Sequence, residues 1–333
     1  MSSVLEGFDP NAAASDGEGI FGLPFSAEEA SLVYLPVPWE VTTSYGTGAA
    51  DGPAAIEAAS HQIDLFDVDV LKPYEAGLHL LAQDPAIRAL NDKSKGGTVE
   101  VVNAAGDELN RIVYAAAKAQ LEAGKIVGLL GGDHSTPFGS IRAHAEKFPG
   151  MGILHIDAHS DTRIAYQGYT WSHASILYNV LEGIPGLGKS VQVGIRDFCE
   201  QEFEYCEKNE ERLRVFYDRD LKTRAYRGER WGGTCEEIVD TLPDSVYITF
   251  DIDGLDPRFC PNTGTPVPGG LDFSEANYLI GAIARSGRKI VGFDLNEVAP
   301  GKNDEWDANV GARMLYKMSA WTLASQGKAK IRP

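Results

Sequence analysis

Residues 151–161 read Met-Gly-Ile-Leu-His-Ile-Asp-Ala-His-Ser-Asp. The first six form an apolar run of strand length, and the last five place Asp157, His159 and Asp161 at alternate positions. In an extended chain, residues i, i+2 and i+4 share a side, so a continuing strand would aim all three at one point. Carboxylates buried side by side repel each other and lose hydration, so they call for a cation or a proton. Two further segments have the same format. Lys125–Leu130 is an apolar run leading into Gly131-Gly132-Asp133-His134-Ser135, and Val246–Phe250 leads into Asp251-Ile252-Asp253-Gly254.

Each run therefore delivers acids or imidazole at its C-terminal end, the edge where open α/β sheets bind ligands. His134, Asp157, His159, Asp161, Asp251 and Asp253 together supply two imidazoles and four carboxylates. A single structural zinc usually takes four ligands rich in Cys or His, so this set suits two divalent cations that share carboxylates. Mixed nitrogen and oxygen donors accept manganese, iron, cobalt or nickel.

The strand-like runs alternate with helical patterns. Strands are expected at 31–37, 77–81, 125–130, 151–156, 191–195, 214–217, 246–250 and 290–293. Helices are expected after a cap at Asp51, over 103–123, 136–147 and 236–241, from a cap at Ser274 to 284, and over 308–324. Such alternation implies an α/β fold of parallel strands with right-handed crossovers and helices on both faces. Residues 1–30, rich in Ala, Gly, Asp and Ser, read as an irregular N-terminal arm, and residues 31–333 read as one domain.

The chain has 333 residues, a net charge of −18 and 43% hydrophobic content, ample for a core. The charge argues against nucleic-acid binding, which wants basic surface. No apolar run approaches a membrane span. The first ten residues lack the basic-then-apolar order of a secretion signal, and the four cysteines show no Cys-x-x-Cys spacing, so a reduced cytoplasmic setting is expected.

Gly-Gly-Asp-His-Ser (131–135), Asp-Ala-His-Ser-Asp (157–161) and Phe-Asp-Ile-Asp-Gly-Leu-Asp-Pro (250–257) resemble the three metal motifs of the ureohydrolase superfamily. Its members include arginases, agmatinases, guanidinobutyrases and formimidoylglutamases. The likeness continues through Asn262–Gly270 and Gly292–Pro300 and covers about Ser31 to Ala324 in order. It implies a three-layer αβα sandwich around an eight-stranded, mostly parallel sheet. It also implies a two-metal centre, manganese being the first expectation, and hydrolysis of a guanidino C–N bond to urea and an amine. By the same resemblance His134 and Asp161 serve one metal and His159 and Asp253 the other. Asp157 and Asp251 bridge, and Asp161 also orients the attacking hydroxide. Glu297 would pair with the guanidinium, and His173, in Ser-His-Ala-Ser where relatives show Ser-His-Gly-Thr, would shuttle protons to the leaving amine. The superfamily commonly assembles as trimers or hexamers, so a homo-oligomer is expected.

Asp133 and Asp256 are expected to take the second N–H of metal-bound imidazoles, the alternative for either being an ordinary turn residue. His61, His79, His144 and His155 match no motif and read as structural, as does the thiol of Cys260. Trp39, Tyr45, Tyr166, Tyr169 and Trp171 are candidates for the mouth of a cation-binding pocket. The substrate's far end turns on Arg163, where arginases carry an asparagine nearby. Facing inward, it would bind a carboxylate and favour a guanidino acid or N-formimino-glutamate, the latter releasing formamide; facing outward, it is a solvated charge. Agmatine, arginine and free guanidine remain open substrates. A metal-stabilised regulatory protein without catalysis is the reading from another class.

Overall fold

A computed structural model describes residues 3–14 and 19–333. Parts of the expected N-terminal arm, residues 1, 2 and 15–18, lie outside the described residues. The rest of that arm has little regular structure beyond short turns at Ser3–Leu5 and Ile20–Gly22. It nevertheless contributes Leu5, Ile20, Phe21, Leu23 and Phe25 to the main hydrophobic core.

Ten strands form among the described residues: β1 (Leu32–Val37), β2 (Val70–Leu71), β3 (Leu78–Leu80), β4 (Ile126–Gly131), β5 (Gly152–Ile156), β6 (Ser190–Ile195), β7 (Leu213–Tyr217), β8 (Ser245–Asp251), β9 (Lys289–Asn296) and β10 (Lys330–Ile331). Eight of them make one sheet in the order β3-β1-β4-β9-β8-β5-β6-β7. Every pairing within it is parallel. β2 and β10, absent from the sequence expectations, form a separate antiparallel pair. Strands covered on both faces read as continuous apolar runs, and β1, β4, β5 and β6 are buried at every position.

Helices cover both faces. Helices Val99–Glu122 and Phe138–Lys147 pack together in one layer. Helices Gly52–Ser60, Phe273–Arg285 and Trp306–Ser325 pack together in the other. The result is the expected αβα sandwich. Four helices escape the sequence reading: Pro85–Ser94, Ile176–Gly183, Glu200–Lys208 and Asp218–Tyr226. All are short; Ile176–Gly183 does place Ile176, Leu177, Val180 and Leu181 at helical spacing, but over only two turns, while the other three have few apolar positions. Two capping expectations are corrected. Asp51 makes no cap bond and instead pairs with Arg88 at 2.9 Å. The helix expected to start at Ser274 is capped by Asp272, whose side chain accepts from Ser274 N, while Glu275 accepts from Asp272 N.

The strand order positions the site. β4, β9, β8 and β5 are consecutive, so their C-terminal ends lie side by side although they come from four distant parts of the chain. At the end of β4, a Cβ on Gly132 would overlap the Trp39 carbonyl, so glycine is required there. That close approach lets Asp133 N donate to Trp39 O at 2.7 Å and Glu297 N donate to Gly132 O at 2.8 Å. No helix among the described residues is long and apolar enough to cross a membrane.

Candidate metal centre

His134 follows β4 and is 1% exposed. Its Nδ1 lies 2.9 Å from Asp157 Oδ2, 3.3 Å from Asp161 Oδ2 and 3.4 Å from Asp251 Oδ2. A second group stands beside the first. His159 Nδ1 is 3.0 Å from Asp253 Oδ2 and 3.5 Å from Asp157 Oδ1. Two sets of donors thus have metal-binding spacing, His134/His155/Asp157/Asp161 and Asp157/His159/Asp253, and Asp157 belongs to both. The alternate positions 157, 159 and 161 do not converge on one point as a straight strand would make them. His159 keeps an extended bridge to Asp197, but Asp161 turns into the left-handed region at φ +53°. The turn sends Asp161 to His134 and leaves His159 with Asp253. The Asp161 carbonyl is held by Leu177 N and Tyr178 N, at 3.0 and 3.1 Å, which anchors the strained residue to the start of helix Ile176–Gly183.

All four carboxylates are buried, and none forms an ion pair with a Lys or Arg among the described residues. Their charge state shows the strain this causes. Burial, then the neighbouring Asp157, pushes the Asp161 carboxyl up to about 7. Burial, then Asp253 and Asp157, raises Asp251 well above the carboxylate range. Burial also works to raise Asp157, but the imidazoles around it prevail and hold it well below that range. Burial opposes protonation of His159, yet Asp253 and Asp157 outweigh it and lift the ring to about 12. An excess of buried acid relieved only by borrowed protons is the environment a pair of divalent cations would neutralise, so the donor set fits such ions.

The partner of the second ring nitrogen of His134 differs from expectation. Asp133 accepts from Thr42 N and Thr42 Oγ1 at 3.1 and 2.9 Å, and does not touch a ligand imidazole. Asp256 is a turn residue, accepting from Arg258 N at 3.0 Å. The role falls to Thr249 and Asp294. Thr249 Oγ1 donates to Asp294 Oδ1 at 2.8 Å, so it accepts from His134 Nε2, also at 2.8 Å. That fixes the tautomer and turns the Nδ1 lone pair toward Asp157, Asp161 and Asp251. Thr249 and Asp294 lie on β8 and β9 two residues before Asp251 and Asn296; Asp294 falls within the Gly292–Pro300 likeness and Thr249 just ahead of the Phe250–Pro257 motif, but neither is given a role by it.

Glu297 is 4% exposed and has the left-handed φ of +61°. Its Oε1 accepts from His134 N at 2.9 Å, whereas its Oε2 is buried with no partner among the described residues. Burial, then Asp133, drives its carboxyl well above the usual range. His173 is half-buried at the start of a short turn. Its backbone N donates to Thr42 Oγ1 at 3.0 Å, and its ring nitrogens lie 3.4 Å from Thr42 Oγ1 and 3.4 Å from Ser44 Oγ. Burial lowers its pKa, which keeps the ring neutral.

A cavity of about 150 Å³ opens onto His159, Asp161 and His173 and is also lined by Arg163, Tyr166, Asp197, Phe198 and Glu202. Glu297 does not line it. Arg163 faces this cavity, its guanidinium 4.9 Å from the Tyr166 ring and its Nε 3.4 Å from the buried Glu202. Glu202 is otherwise engaged, accepting from Thr162 N at 3.2 Å and Cys199 N at 2.9 Å. Of the aromatic candidates only Tyr166 lines the cavity. Trp39 is in the core, Tyr45 is 85% exposed, Tyr169 pairs with the Tyr166 backbone, and Trp171 packs on Phe138 and bonds Asp107. His61, His79 and His144 each bond a backbone carbonyl away from the centre. His155 is the exception among the histidines read as structural, because it stands inside the first donor group.

Buried carboxylates and imidazoles at the C-terminal edge of a parallel sheet, arranged in two groups around a common aspartate, define a metal-dependent enzyme. Comparison with known proteins narrows the class. The arginase-family model matches residues 30–320. The chain is 35% identical over 291 residues to an N(1)-aminopropylagmatine ureohydrolase of Thermus thermophilus, covering 86% of this chain and 88% of that protein. It is 32% identical over 341 residues to an agmatinase of Shigella sonnei, covering 98% and 100%. The crystal structure of agmatine ureohydrolase of Thermoplasma volcanium is similar with a TM-score of 0.73 and 25% identity, over 91% of this chain and 94% of that one. The chain belongs to the arginase family and is a metal-dependent amidinohydrolase.

Proposed function

We propose that this chain hydrolyses the C–N bond of a guanidino compound, releasing urea and an amine, at a centre of two divalent cations. The observation that carries this reading is Asp157, common to two adjacent donor groups. His134 and Asp161 would hold one cation and His159 and Asp253 the other, with Asp157 and Asp251 available to both. Manganese is the first candidate, with nickel, cobalt and iron compatible with the same donors. A bound pair of such ions lowers the pKa of a water toward neutrality and so furnishes a nucleophile at physiological pH.

The chain's own residues do the remaining work. Glu297 presents a buried, unpartnered oxygen, and a guanidinium is the planar cation whose paired N–H groups match a carboxylate. Asp161, held by its strained backbone, orients the nucleophile. His173, neutral and open to the cavity, carries a proton to the departing amine, steadied through Thr42 by Asp133. The catalytic unit is residues 31–333, with the preceding arm packed against it. Four free thiols support a reducing cytoplasmic setting, and the family resemblance supports a homo-oligomer.

The relatives named for agmatine and aminopropylagmatine make a guanidino compound with a cationic tail the leading substrate. Arg163 favours a carboxylate tail instead, as in a guanidino acid or, with formamide as product, N-formimino-glutamate. Glu202 compensates part of the Arg163 charge, and Asp197 adds a carboxylate to the same wall. Urea release from agmatine, aminopropylagmatine, arginine, guanidinobutyrate and guanidine, and formamide release from formiminoglutamate, tests the reading on metal-loaded protein. No turnover of any of them rejects it. Replacing Arg163 by Ala is expected to raise KM for carboxylate substrates about 10-fold or more, from a charge-assisted hydrogen bond worth about 1.5–3 kcal/mol, and to lower it for diamine-tailed ones. An unchanged KM for both would remove Arg163 from the pocket's chemistry.

A further inference from the structure

Three imidazoles stand in the buried centre, one more than the metal motifs supply. The third, His155, lies on β5 and is fully buried. Its Nε2 is 2.8 Å from Asp157 Oδ2, a spacing that suits either two ligands of one cation or a hydrogen bond.

The other ring nitrogen decides between them. Gln192 sits directly across from His155 in the β5–β6 register. Its side-chain nitrogen is 2.6 Å from the carbonyl oxygen of Ser160. A carbonyl only accepts, so the amide must present its NH2 there, and the orientation is fixed. The amide oxygen correspondingly takes Ser160 Oγ at 3.3 Å and Cys206 Sγ at 3.7 Å. The same NH2 lies 3.0 Å from His155 Nδ1, which must therefore accept. A neutral imidazole has one donor and one acceptor, so the hydrogen sits on Nε2 and is given to Asp157 Oδ2. Protonating Nδ1 would set its hydrogen against those of the amide.

We infer that His155 is no third imidazole ligand but the positioning residue of the shared carboxylate, locked in its tautomer by Gln192. His134 and His155 are thus set in opposite senses. Thr249 takes the N–H of His134 and frees a lone pair for metal, while Gln192 takes the lone pair of His155 and frees an N–H for Asp157. With His159 N donating to Asp157 Oδ1 at 2.6 Å, each oxygen of the shared carboxylate has a hydrogen-bond donor that fixes its plane. The inference rests on the reading of Asp157 as common to both cations.

The test is manganese binding to the full chain by calorimetry, in the wild type and in H155F, H155Q and Q192M. Loss of a supporting hydrogen bond behind a metal ligand typically weakens metal binding about 10–100-fold, and H155F should fall in that range. H155Q keeps an N–H donor and should recover most of the loss. Q192M, which unlocks the tautomer but keeps the ring, should fall between them. The melting temperature of the chelated proteins separates positioning from general packing, because the chelated H155Q and Q192M should melt within a few degrees of each other while their manganese affinities differ. The absorption spectrum of the cobalt-loaded protein should be the same in the wild type and H155Q, since no ligand is exchanged. A cobalt spectrum altered in H155Q, or manganese affinity equal in all four proteins, overturns the inference while leaving the two-metal reading intact. A wild type that takes up no divalent metal overturns both. Should H155F not fold, H155Q and Q192M carry the comparison.

Discussion

Glu297→Gln is expected to lower kcat/KM for the guanidino substrate about 30- to 5,000-fold, the range set by truncating one partner of a buried charge pair at about 2–5 kcal/mol. The substitution is nearly isosteric. Its remaining carbonyl oxygen can still accept from His134 N, the bond that Oε1 makes at 2.9 Å, so the backbone between β4 and β9 should hold. What disappears is the charge on the oxygen that has no partner among the described residues. The left-handed backbone at φ +61° is the kind of local strain that a functional side chain justifies, and here it aims this carboxylate. Manganese content should stay at the wild-type level, because Glu297 is not among the proposed ligands. Wild-type turnover in the variant, or loss of metal along with activity, would remove Glu297 from substrate recognition.

Removing the cations should make stability depend on pH in a direction opposite to that of ordinary paired carboxylates. In the metal-free protein Asp161 is raised from 3.8 to about 7, by burial and then by Asp157. The fold keeps that proton while the unfolded chain has already lost it. Its contribution is therefore present at low pH and is lost as pH rises from 3.8 through about 7. Asp251 and Glu297 shift the same way, again with burial as the largest cause. For His159, burial is outweighed by Asp253 and Asp157, and the ring is raised from 6.5 to about 12, so its contribution is whole below 6.5 and lost as pH climbs through the raised value. Asp157 has the opposite sign, but its window lies below 3.8. Burial lowers His144, to about 4, and also His155 and His173, so these rings act with the opposite sign up to 6.5. Between about pH 6.5 and about pH 8 the folded chain thus holds more protons than the unfolded one, and the melting temperature of chelated protein should fall steadily. Divalent cations displace those protons, so the loaded protein should lose the slope and gain most from metal at the alkaline end. Thermal unfolding with and without chelator across that range checks this. A chelated protein that gains stability as pH rises would contradict the assigned proton inventory.

The interior explains where reading the sequence stops. The six inner strands of the main sheet are legible because a strand covered on both faces reads as a largely apolar run, which a local window detects; the edge strands β3 and β7 are partly exposed and carry that signal more weakly. The four overlooked helices are eight to ten residues long, so any apolar period in them, as at Ile176, Leu177, Val180 and Leu181, runs too briefly to stand out. Asp133 adjoins His134 in the chain and so reads as the support of a ligand imidazole. In space it serves Thr42 and, through it, His173. His155 falls within the β5 run and so reads as structural, yet its Nε2 comes within bonding distance of the central carboxylate. The sequence places Arg163 on the substrate loop, but its buried partner Glu202 comes from a helix that the sequence does not announce.

By itself the sequence determined the α/β class, the inventory of acids and imidazoles, and their delivery at the ends of β4, β5, β8 and β9, because each depends on a short stretch of chain and its period. Only the tertiary structure decided which of those groups meet, which ring nitrogen of His134 and His155 carries the hydrogen, and what stands opposite Arg163. Those outcomes depend on the order β4-β9-β8-β5 and on side chains facing each other across it. Hydrogen-bond partners inside a protein are set by distance through space, and the neighbours β4 and β9 are drawn from as far apart in the chain as Ile126–Gly131 and Lys289–Asn296.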